Sequence, residues 1–96
     1  MLPPIWPGQL SDWEWAQLVS CHAELAEKML MQRVRIHNSK PMLSEHFEDN
    51  VFEFLGINSQ AAYYIHQGYG YFTVYFEAMI DMDRFREMFE KYGQEN

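Results

Sequence analysis

Four histidines (His22, His37, His46, His66), one cysteine (Cys21) and a run of acids are the residues of this chain whose types could do chemistry. A zinc site needs converging ligands, commonly two histidines four apart on one helix face. Here the histidines stand singly, and Cys21 and His22, as helix neighbours, would point about 100° apart. His22 falls on an apolar stripe and reads as a core or boundary residue, whereas His46 and His66 read as exposed. Nucleophilic catalysis needs Ser or Cys beside a base that a third group orients. Cys21 followed by His22 does not supply that geometry. General acid–base chemistry has only His66 or His46 with Glu48 or Glu53 as candidates, and such pairs arise by chance in an acidic domain. Gly68-Tyr69-Gly70 is too short for a phosphate loop, and no lysine follows it. No catalytic residue, metal ligand or cofactor is assigned, and a non-enzymatic role is expected.

Two clusters stand above that background. Glu45, Asp49 and Glu53 recur at i, i+4 and i+8, with Glu48 beside them. Like charges at this spacing destabilise a helix by a few tenths of a kcal/mol per pair (roughly 0.2–0.5). A solvated acidic face accounts for them; so does a docking surface for a basic patch on a protein that handles nucleic acid. The second cluster is Tyr63, Tyr64, Tyr69, Tyr71 and Tyr75, all within thirteen residues. Tyrosine gives large contact area for little rotamer entropy and is enriched where proteins grip one another. Glu45, Glu48, Asp49 and Glu53 are therefore the expected charged contacts, with Tyr64, Tyr69 and Tyr71 as anchors.

The segment Phe54 to Ala62 has the outline of a helix-turn-helix turn, two helices meeting at Gly56. Its second helix, Ser59 to Gln67, carries no Lys or Arg, and duplex binding needs several phosphate-neutralising bases. Direct nucleic-acid binding is not expected. Net charge points the same way. The chain of 96 residues carries −7, and all of it lies in residues 44–96, with ten acids against three bases. Residues 1–43 balance four of each. Such an acidic half repels nucleic acid and anionic membrane and attracts basic protein surfaces.

Positioning these residues calls for one domain of modest core. A single cysteine rules out an intramolecular disulfide, and no apolar run reaches the roughly 18–20 residues of a membrane span. A cytoplasmic location is expected. Residues 1–9, with Pro3, Pro4 and Pro7, read as an extended arm. Ser11 and Glu14 form a capping box, with Leu10 and Trp15 as its hydrophobic staple. From Trp15 the apolar spacing predicts one helix to about His37. Lys28, Arg33, Arg35 and Lys40 would then favour its C-terminal end.

Ser44 can cap a second helix that buries Phe47, Val51, Phe54 and Leu55 and stops at Gly56. A short third helix would span 60–67. Residues 71–76 are rich in β-formers, yet Tyr71, Tyr75, Ala78, Met82, Phe85, Phe89 and Tyr92 step by three and four without a break. The favoured reading is an all-α, single four-helix domain over residues 10–93, with a tail at 94–96. The alternative is an α+β domain with a strand at about 71–77.

The expected function is a small acidic binding protein, an inhibitor or regulator that covers a surface of a larger protein partner. Its size suits the compact genomes of phages and mobile elements. A homo-oligomeric accessory protein, in which the partner is a second copy, is the alternative. A small acid–base enzyme ranks third.

Overall fold

The computed structural model describes residues 8–37, 47–68 and 70–93, and the side chains of these except 47–48 and 90–93. The fold is α+β: helices and a four-stranded mixed sheet. The all-α expectation is thereby overturned. In chain order the elements are β1 (Gly8–Gln9), α1 (Asp12–Cys21), α2 (Ala23–Met31), β2 (Arg33–His37), α3 (Phe47–Asn58), β3 (Ala62–Gly68), β4 (Tyr71–Phe76) and α4 (Met79–Gly93). The strands lie in the order β1-β3-β4-β2. The short β1 pairs parallel to β3, while β3, β4 and β2 are antiparallel neighbours.

The first helix begins as its sequence indicates. Ser11 Oγ accepts from the Glu14 amide at 3.1 Å, and Glu14 Oε1 accepts from the Ser11 amide at 2.7 Å. The expected long helix then breaks at His22, whose φ of −133° and ψ of 63° are not helical. Helical bonding resumes into α2 and stops at Gln32. There the buried side-chain amide of Gln32 donates to the carbonyls of Phe76 and Glu77, both at 3.0 Å. That fork ties the end of α2 to the end of β4 and turns the chain into β2. Arg33 and Arg35 are therefore strand residues.

Two further expected helices are wholly or partly strands. The segment expected as a helix at 60–67 is largely β3, and the seam beginning at Tyr71 is β4 followed by α4. The physical reason is burial on both sides. Ala62, Tyr63, Tyr64 and Ile65 are all buried, so β3 has no polar–apolar alternation to announce it. The hairpin between β3 and β4 closes through two residues, and Gly70 adopts φ 72° as such a turn requires. Gly56 does not end α3, which continues to Asn58.

Alternation sorts the sheet residues into two faces. One face presents Val34, Ile36, Tyr63, Ile65, Phe72, Val74 and Phe76, and packs with Val51 and Leu55 of α3 and Met82, Phe85 and Phe89 of α4. This is the main core. The other presents Ala62, Tyr64 and Tyr75 to Leu18, Ala26 and Met29 of α1 and α2. A buried carboxylate closes the join between the layers. Asp81, at the start of α4, accepts from the amides of Gln60 at 3.0 Å and Ala61 at 2.9 Å. Glu77 Oε1 takes the Ala62 amide next to them at 3.1 Å. None of the described helices is long and apolar enough to cross a membrane.

Candidate functional site: the half-covered sheet face

The α1/α2 side of the sheet carries three cross-strand rows, read across β3, β4 and β2. They are Tyr64–Tyr75–Arg33, His66–Thr73–Arg35 and Gly68–Tyr71–His37. The first row is covered. Trp15 of α1 lies nearly parallel to Tyr64, with ring centroids 4.8 Å apart, and to Tyr75 at 5.6 Å. The Tyr64 hydroxyl donates to Asp12 Oδ1 at 2.8 Å. Burial first, and then the hydrogen bond and charge of Asp12, push the Tyr64 phenol up to about 12. Burial also raises Tyr63 on the opposite face. Arg33 donates to the Leu30 carbonyl at 2.7 Å, at the C-terminal end of α2, where a cation is favoured.

The apolar cluster that α1 and α2 form with the sheet reaches the first row through Tyr64 and Tyr75. Arg35 and His66 are exposed, Tyr71 and His37 are half-buried, and Thr73 lies buried between them. Their arrangement rests on Gly68. A Cβ built there would meet Tyr71 Cζ at 2.5 Å and both Cε atoms at 2.8 Å. Such near-equal distances place the flat face of the phenol, not its edge, against the glycine. The ring therefore lies down across β3, which leaves its outward face to the Arg35 guanidinium, 4.6 Å from the ring centroid. Stacking of this kind is worth about 0.5–1 kcal/mol at an exposed site and pre-orients the guanidinium.

No carboxylate among the described residues forms an ion pair with Arg35. No described residue accepts from its five N–H donors, whose fixed fork suits an anion. His37 flanks Tyr71, its ring centroid 6.5 Å away. Its Nε2 is shut off from solvent with no hydrogen-bond partner among the described residues. The local chemistry is that of an anion-accepting surface on an otherwise acidic molecule. No described group of three His, Cys, Asp or Glu residues could hold a metal ion.

The residues singled out by sequence divide between the two sides of the sheet. Tyr64 and Tyr71 share the half-covered face, but Tyr64 is buried under Trp15 and only Tyr71 contributes to the open part. Asp49 and Glu53 are exposed on α3, which covers the opposite face. Glu48 lies in α3, and its side chain is outside the described residues, as are Glu45, Tyr69 and His46. Among the described residues, Asp49 and Glu53 thus lie on the side of the sheet opposite Tyr64 and Tyr71. Arg35 and Thr73 are the residues that sequence reasoning missed. The signal was present in the strict polar–apolar alternation of Arg33-Val34-Arg35-Ile36-His37. Compared with protein-family models, with curated proteins and with solved structures, the chain matches none.

Proposed function

We propose that this protein is a small non-catalytic binding protein that covers a surface on a larger protein partner, and that the half-covered sheet face makes the contact. One observation carries the reading: Arg35 is held over Tyr71 with no carboxylate partner among the described residues, in one cross-strand row with exposed His66. Covering this exposed cation with a partner is costly unless an anion on the partner completes it. A partner's carboxylate would do so, and Arg and Tyr are the side chains that dominate protein–protein contacts. Asp49 and Glu53 then act as a separate, solvating acidic surface.

The test compares charge reversal on the two sides of the sheet. The tagged protein is isolated from its natural host as wild type, as Arg35→Glu and as the Asp49→Lys/Glu53→Lys pair. The stoichiometric partner should be lost from the first variant and kept by the second. The opposite pattern would return the contact to α3.

A further inference from the structure

Among the described residues β2 is an edge strand, and the ladder shows which of its backbone groups have no partner there. The Phe76 amide donates to the Gln32 carbonyl at 2.8 Å, which makes Gln32 and Phe76 a hydrogen-bonded pair just before the ladder of Arg33 with Tyr75. Such pairs alternate along an antiparallel ladder. Val34 and Ile36 therefore bond to β4, while the N–H and C=O groups of Arg33, Arg35 and His37 point away from the sheet. The second ladder agrees. Glu77 donates to the Ala62 carbonyl at 3.0 Å, so Tyr75, Thr73 and Tyr71 bond toward β3 and leave Phe76, Val74 and Phe72 for β2. The same three β2 residues place their side chains on the half-covered face.

Resting on the reading of the protein as a protein-binding module, we infer that an extended segment of the partner adds to the β2 edge, with acidic residues alternating with apolar ones. An antiparallel strand seated there exchanges backbone bonds with Arg33, Arg35 and His37. Its residue opposite Arg35 projects onto the same face, about 5.5 Å away between Cα atoms, where a carboxylate meets the stacked guanidinium. A second carboxylate two residues along meets Arg33. The intervening side chains fall beside Val34 and Ile36, where apolar groups continue the packed face. Arginines on an edge discourage pairing with apolar strands, so they select an acidic one. A nucleic-acid backbone supplies anions but no N–H groups for the edge carbonyls; a polypeptide supplies both.

The probe is a soluble heptapeptide alternating Glu and Val, titrated into the full chain and followed by amide hydrogen exchange and NMR. In the free protein the amides of Arg33, Arg35 and His37 should exchange fast and those of Val34 and Ile36 slowly. The peptide should protect the first three. Arg35→Glu should weaken binding about tenfold, and a Lys/Val peptide should restore it on that variant; Arg35→Ala should fall between.

The inference is overturned if the peptide fails to bind, binds without protecting those amides, or binds no better than its Lys counterpart. A short oligothymidylate that shifts the same residues more strongly would overturn it in favour of nucleic acid. Loss of the natural partner on Arg35→Glu alongside peptide failure would remove the strand-addition mode alone. Retention of the partner by that variant would remove the broader reading.

Discussion

On the α3/α4 side the sheet offers Val34, Ile36, Phe72, Val74 and Phe76; on the other, the same strands offer Arg33, Arg35, His37, Tyr71 and Thr73. The first set is closed over by Val51 and Leu55 of α3 and by Phe85 and Phe89 of α4, with Phe76 and Phe85 centroids 5.5 Å apart. On the second side the apolar cluster with α1 and α2 reaches Tyr75, while Arg35 is exposed. One face supplies most of the apolar burial that holds so small a domain together. The other carries the exposed Arg35 and His66 on either side of the buried Thr73. The proposed function puts recognition on the side of the sheet opposite the main core, so that each should be changeable with limited effect on the other.

The largest effect should come from the packed face. Phe76→Ala should cost about 3–5 kcal/mol in urea denaturation, because it removes a fully buried ring and leaves a cavity. A loss below about 1 kcal/mol would show that the face is not the main core. Asp81→Ala should cost about 2–3 kcal/mol in the same measurement. It strands the amides of Gln60 and Ala61, which now bond to a buried carboxylate.

Smaller effects should mark the half-covered face. Gly68→Ala forces the Tyr71 ring to shift and should cost about 1–3 kcal/mol as an overpacking change. Its more telling readout is the NMR shift of Tyr71 and Arg35, which should move together. Tyr64→Phe should cost about 1 kcal/mol through its bond to Asp12. It should also change the alkaline profile. The fold favours the neutral phenol, so this contribution is whole below pH 10 and is lost as pH rises toward about 12. In the variant that part of the alkaline loss should disappear; an unchanged profile would detach Tyr64 from it.

How much of this was legible in the sequence depended on whether an element is exposed on one side or buried on both. The capping box of Ser11 and Glu14 was readable because it is local. β3 and β4 were not read as a hairpin, because residues 62–65 and 72–74 are buried on both faces and show no polar–apolar alternation. In such aromatic-rich segments a three-and-four spacing can be found by coincidence, as it was from Tyr71 to Tyr92. The real core positions, Phe72, Val74 and Phe76, step by two. β2 did alternate, but the helical pattern before it ran straight into it, and its arginines had an adequate explanation as a helix end. What ends α2 is a long-range bond from Gln32 to residues 76 and 77, which no local pattern encodes. The open site was illegible for the same reason: Arg35, Tyr71 and Gly68 meet only through strand register.

The most direct test sets stability against partner affinity in one variant, Arg35→Ala, measured by urea denaturation and by titration with the isolated partner. Expected is a stability within about 0.5 kcal/mol of wild type and an affinity reduced by about tenfold or more. Unchanged affinity, or a loss of affinity no greater than the loss of folded protein, would contradict the assignment of recognition to the half-covered face.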